Sequence, residues 1–173
     1  MEGFDPYRDT VGPGIYGGVV KRDDAGKIVI GDQYQNHNPY PGPVYAGGGY
    51  APSSLALQKG PAYIAELLDT YPDLVNDVTT GGATPLHMCG MSRRGQLSTQ
   101  VIIERGGNIE ALDTYGYSPL HRMASNNLAV GAEALLAAGA NPSLSTRSGE
   151  TALSIATQSN ARDVLAVLSK HTG

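Results

Sequence analysis

Thr84-Pro85-Leu86-His87 returns as Ser118-Pro119-Leu120-His121 and again, altered, as Thr151-Ala152-Leu153-Ser154. The steps are 34 and 33 residues, and a glycine stands two places before each copy, at Gly82, Gly116 and Gly149. A second marker keeps step with the first. Glu104-Arg105-Gly106-Gly107-Asn108 is followed 33 residues on by Ala137-Ala138-Gly139-Ala140-Asn141. One register earlier, Thr70-Tyr71-Pro72-Asp73 has no glycine, so that copy is degenerate. Self-similarity at this period is the mark of a stack of like units, each too small to bury its apolar face without its neighbours.

The tetrapeptide has a mechanical reading. Thr84 and Ser118 precede an apolar run with proline next, the order of an N-cap followed by proline at the first helical position. Leu86 and Leu120 are placed to plug between neighbouring units. His87 and His121 are placed to bond backbone groups near the preceding turn, and the three glycines suit a turn position of positive φ. With this tetrapeptide in this phase, the C-terminal portion resembles the ankyrin-repeat family. The resemblance implies an all-α solenoid of helix pairs, with two central repeats between degenerate caps, which works by binding other proteins.

Along the chain the material changes once. Residues 1–50 hold eleven of the 23 glycines and six of the ten tyrosines, with prolines at 6, 13, 39, 41 and 43. Glycine and proline at that density forbid a helix and leave too little apolar area to offset the conformational entropy of folding alone. This segment reads as an extended arm. Within it, Gly18–Arg22 and Lys27–Ile30 flank Asp23-Asp24-Ala25-Gly26, a short hairpin pattern. Residues 36–45 should be extended, and Gly47-Gly48-Gly49 makes a joint.

From Ala51 to Gly173 the helical period takes over. Ser53 or Ser54 can cap a helix over Leu55–Gln58. A second follows Gly60-Pro61, with Ile64, Leu67 and Leu68 on one face, and ends at Tyr71-Pro72. This pair is an N-terminal cap. A repeat from about Gly81 to Thr114 follows, one residue longer than the next, with the excess assigned to the Ser92-Arg93-Arg94-Gly95 turn. Tyr115 to Thr146 is the third unit, and Arg147 to Lys170, which lacks the marker proline and histidine, is the C-terminal cap.

A formal charge of −4 argues against a general nucleic-acid binder. No run of eighteen apolar residues suggests a membrane span, and the start of the chain has no signal-peptide pattern. The single cysteine, Cys89, excludes an internal disulfide and suits a reducing compartment, where a buried, unreactive thiol is expected. Nucleophile-elbow, phosphate-loop and paired-histidine motifs are all missing. His87 and His121 should stand about one unit apart, roughly 10 Å in a helix stack, too far to share a metal ion. The chain is therefore read as a non-enzyme with no cofactor, catalytic residue or metal site.

Binding is the remaining activity. Turn tips and inner helices form the concave recognition surface of such stacks, and tyrosine and arginine dominate interface energetics. The candidates on that face are Arg93, Arg94, Tyr115, Tyr117, Arg122 and Arg147. On the arm they are Tyr7, Tyr16, Tyr34, Tyr40, Tyr45 and Tyr50, amphipathic anchors on a backbone able to follow another surface. The expected partners are other protein subunits of a larger assembly, one that can lie peripheral to a membrane complex. Two roles fit: a permanent peripheral subunit held by its arm, or a soluble adaptor or escort that binds a client on the concave face. Gly12-Pro13-Gly14-Ile15-Tyr16-Gly17-Gly18, followed by Arg22-Asp23-Asp24, resembles the start of the plastid ankyrin proteins that escort light-harvesting chlorophyll proteins. That likeness implies a plastid stroma, with the cytoplasm as the alternative.

Overall fold

The computed structural model of the chain describes residues 56–77, 82–113 and 115–172. The arm with its hairpin and tyrosines, the Ser53/Ser54 cap, the Gly47–Gly49 joint, and Thr79, Thr80, Gly81 and Thr114 lie outside the described residues.

The described chain is a succession of antiparallel helix pairs. Residues 56–58 are helical, and α1 (Pro61–Thr70) follows with Gly60 at its N-cap and proline at N1. Its face of Ile64, Leu67 and Leu68 is buried, as the i, i+3, i+4 spacing requires. A 3₁₀ turn over Pro72–Asn76 occupies the place of the missing glycine. Next come α2 (Pro85–Cys89) and α3 (Thr99–Glu104), then α4 (Pro119–Ser125) and α5 (Ala129–Ala137), then α6 (Ala152–Gln158) and α7 (Arg162–Thr172). The inner helices α2, α4 and α6 stack in order, as do the outer helices α1, α3, α5 and α7. Among the described residues the β structure is one isolated antiparallel bridge, Ser145 to Thr151.

Each unit is closed by the same local devices. Gly82, Gly116 and Gly149 have φ of 73°, 80° and 82°, in the left-handed region the turn demands. The outer helices end in Schellman motifs: Gly107 N–H bonds Ile102 O at 3.0 Å and Gly106 N–H bonds Ile103 O at 3.1 Å. Ala140 and Gly139 repeat the pattern on Leu135 and Leu136 at 2.9 and 3.0 Å. The inner helices α4 and α6 end the same way on asparagine, Asn127 at φ 53° and Asn160 at φ 52°.

The spacing assigns the extra residue of the second unit to the Ser92–Gly95 turn, and just after that turn the second unit is built differently from the third. Gly95–Ser98 form a 3₁₀ turn ahead of a short α3, where the third unit passes almost directly from α4 to α5. That turn has a second use. Gln96, nearly buried, sends its Oε1 across to accept the Gly131 N–H at 3.1 Å. This caps the first turn of α5, whose N-cap Leu128 has no side-chain acceptor.

Inside, one apolar cluster runs the length of the stack, from Ala56 and Leu57 through Leu86, Ile102, Leu120, Met123 and Leu135 to Ile155, Val164 and Leu168. Two glycines let helices approach, Gly90 between the second and third units and Gly131 between the two helices of the third. A Cβ on Gly90 would stand 2.6 Å from Arg122 Cβ, and one on Gly131 would stand 2.4 Å from the Met123 thioether. Polar links between units follow the period. Asp69 pairs with Arg105 at 2.9 Å, Asn126 Nδ2 donates to Gly90 O at 2.7 Å, and Asn127 Oδ1 accepts Asp163 N–H at 3.0 Å.

Candidate functional site

The marker histidines are tied at both ring nitrogens. The Thr84 N–H donates to His87 Nδ1 at 3.1 Å, so the proton sits on Nε2, which donates to the Tyr117 carbonyl at 2.7 Å. His121 does the same between Ser118 N–H (2.9 Å) and Leu144 O (2.9 Å). The expected bond near the preceding turn is therefore half of the arrangement, and the other half reaches forward into the next unit. Burial pushes His87 down to about 4 against the pull of the Asp113 carboxylate, and burial also lowers His121. Ser154, in the same place in the last unit, takes the Thr151 N–H at 2.9 Å but turns its hydroxyl back onto the Thr151 carbonyl at 3.1 Å. It keeps the cap and gives up the forward link. Cys89 is fully buried, and burial raises its thiol to about 12, so it is an inert core group. Among the described residues no group of three or more His, Cys, Asp or Glu side chains could hold a metal ion, and no helix is long and apolar enough to cross a membrane.

The six repeat-borne candidates separate into three kinds. Arg122 is largely committed: its Nε donates to Asp113 Oδ2 at 3.1 Å, and its guanidinium lies 4.3 Å over the Tyr117 ring and 6.0 Å from that of Tyr115. Tyr117 is committed as well. It packs edge-on to His121, bonds Glu150 Oε2 at 3.3 Å and lends its carbonyl to His87. Asp113, which the sequence reading passed over, holds this turn together. Its buried Oδ1 accepts both the Tyr115 and Tyr117 N–H groups at 2.9 Å. Aspartate bonding the backbone two residues on is a recognisable turn signal, and Asp113 ahead of Tyr115-Gly116-Tyr117 carried it.

Tyr115 and Arg147 are the second kind. Tyr115, its N–H bonded to Asp113, is 67% exposed. Arg147 crosses above Gly116, where a Cβ would come within 2.8 Å of its Cγ. Arg93 and Arg94 are the third kind, exposed at the far end of the same inner-helix face. Arg94 borders an open recess of about 200 Å³ with Leu57, Met88 and Met91, a site no local pattern announced because its walls come from two units. Arg122 joins the two ends of the face, lying against Gly90 on one side and the tyrosines on the other. None of Arg93, Arg94 and Arg147 makes an ion pair among the described residues.

Exposed aromatic and cationic side chains thus stand beside a recess walled in part by Leu57, Met88 and Met91. Residues 102–156, which run from the outer helix of the second unit to the inner helix of the last, match the family model described as ankyrin repeats (many copies). The phased capped turns and the helix pairs agree with that match, and residues 102–156 are a run of ankyrin repeats.

Proposed function

We propose that this protein is a non-enzymatic peripheral subunit of a larger protein assembly, with its inner-helix face docked on one partner and its arm, residues 1–50, stapling others. Ankyrin repeats serve protein–protein interaction, which fixes the class of activity. The observation that carries docking through this face is Tyr115, an exposed aromatic ring whose N–H bonds Asp113, beside Arg147, which makes no ion pair among the described residues. A rigid tyrosine beside an arginine is what interface hot spots use, since little conformational entropy is lost on binding. The six arm tyrosines support the second anchorage, and the Gly12–Gly18 motif supports a plastid stroma as the compartment.

Assembly is tested by size exclusion of a native extract, where the chain should co-migrate stoichiometrically with a large complex. Tyr40→Ala with Tyr45→Ala should weaken that co-migration more than Tyr115→Ala with Arg147→Ala. If both pairs leave it intact, this reading is wrong. Recovery of the protein in the cytosolic rather than the stromal fraction would remove the compartment. A second reading, a soluble escort that binds and releases a client on the inner-helix face, is favoured by the exposed Tyr115–Arg147 pair. It predicts that the repeat substitutions matter and the arm substitutions do not.

A further inference from the structure

The charges of the helix stack are segregated. The outer helices carry Glu66, Asp69, Glu104, Glu133 and Asp163 against Arg162 and Lys170, with Arg105 at a helix end paired to Asp69. On the opposite side stand Arg93, Arg94, Arg122 and Arg147. The acids near there are engaged or hidden: Asp77 and Asp113 are buried, Asp113 is bound to Arg122, half-buried Glu150 takes the Tyr117 hydroxyl, and half-buried Glu110 accepts the Asn141 N–H at 2.7 Å. Three arginines that make no ion pair among the described residues thus line one face of a chain whose net charge is −4.

The cations are joined by a continuous path. From Arg147 it passes over Gly116 to Tyr115 and Tyr117, across Arg122 to Gly90, and into the recess bounded by Met88, Met91 and Arg94. Two repeat steps of about 10 Å combined with an inner-helix length of about 10 Å make this roughly 22 Å, the reach of about seven extended residues. Met91 is 57% exposed at the recess, and methionine adapts to side chains of varied shape.

We propose that the partner segment bound by this face is an extended acidic peptide carrying one bulky apolar side chain. The carboxylates pair with Arg147 at one end and with Arg93 and Arg94 at the other, and the apolar side chain fills the Leu57–Met88–Met91 recess. This rests on the inner-helix face being the docking surface, and it adds the chemistry of what docks there. Arginine suits the task because its planar fork grips a carboxylate with two hydrogen bonds.

The probe is a fluorescein-labelled synthetic peptide of about ten residues, alternating glutamate and glycine around one central phenylalanine. Its glutamine and lysine counterparts serve as controls. Fluorescence anisotropy with the full chain at about 0.05 M salt should show the glutamate peptide bound roughly tenfold tighter than the glutamine one, as a few exposed ion pairs would give. At about 0.5 M salt the advantage should vanish through screening. Arg147→Glu, and Arg93→Glu with Arg94→Glu, should each remove it, with circular dichroism unchanged. Equal binding of glutamate and glutamine peptides, or tighter binding of the lysine one, overturns the acidic preference. In that case, loss of both on Tyr115→Ala with Met91→Ser would leave the docking face standing. If no peptide binds, or those substitutions change nothing, the face and its chemistry fall together. Should the glutamate peptide bind only after Tyr40, Tyr45 and Tyr50 are replaced by alanine, the recess belongs to the chain's own arm and the proposal fails.

Discussion

At the scale of single residues, the marker histidine is the joint between one unit and the next. A neutral imidazole is required, because Nδ1 must accept from a backbone N–H while Nε2 donates to a carbonyl. A proton added to Nδ1 would destroy the first bond and leave a buried charge. The folded state therefore holds His87 unprotonated down to about 4, whereas an unfolded chain takes up the proton near 6.5. Its folded value is depressed, so the stability it contributes is present above about 6.5 and is lost as pH falls from there towards 4. The loss should be on the order of 3 kcal/mol across that window, since one pKa unit is about 1.4 kcal/mol. Thermal unfolding followed at several values between neutrality and pH 4 should show the midpoint falling, with a smaller fall in His87→Gln. A flat profile, or the same slope in the variant, would remove the histidine from this role.

At the scale of elements, the approach of α2 to α4 is set by one missing methyl group. Gly90 has φ −78°, so alanine there brings no backbone strain. Its Cβ would instead collide with Arg122 Cβ at 2.6 Å and crowd the His87 carbonyl at 3.1 Å. Neither is the loose end of a flexible side chain. Gly90→Ala should force the two inner helices apart and cost about 1–3 kcal/mol, the range for overpacking. Urea denaturation reads this directly, and an unchanged midpoint would mean that the interface yields freely. The displaced α4 also carries Arg122, so the turn held by Asp113 should loosen, and a change in the near-ultraviolet tyrosine signal should accompany the loss.

At the scale of the whole molecule, stability belongs to the stack and not to any unit. Leu120 is 2% exposed at the centre of the one apolar cluster. Leu120→Ala should cost on the order of 2–5 kcal/mol, as for a large-to-small change in a packed core. Because each repeat leans on its neighbours, the loss should lower the whole transition. A variant that melts in two separated steps would contradict one cooperative stack. The same one-dimensional build explains the division of charge. Outer helices pair across units through Asp69–Arg105 and Glu133–Lys170, whereas Arg93, Arg94 and Arg147 make no ion pair among the described residues.

The order of elements was legible in the residues themselves. Thr84-Pro85 and Ser118-Pro119 start helices, Gly106 and Gly139 stop them, and Gly82, Gly116 and Gly149 turn the chain. Each depends on φ sterics or on a hydrogen bond spanning a few residues, so the neighbouring sequence suffices. The same holds for the cap that Ser154 keeps without histidine. The candidate site was legible only as a set of residue types. Nothing local distinguishes Tyr117, locked among Arg122, His121 and Glu150, from Tyr115 two residues away and exposed. The forward reach of His87 to Tyr117, the Gln96 cap on Gly131 and the Leu57–Met88–Met91 recess were equally hidden. All of these are made between repeats, where the shift and rotation from one unit to the next decide which side chains meet. Sequence determined the unit and its count; the packing of one unit on another decided which of these arginines and tyrosines stay exposed.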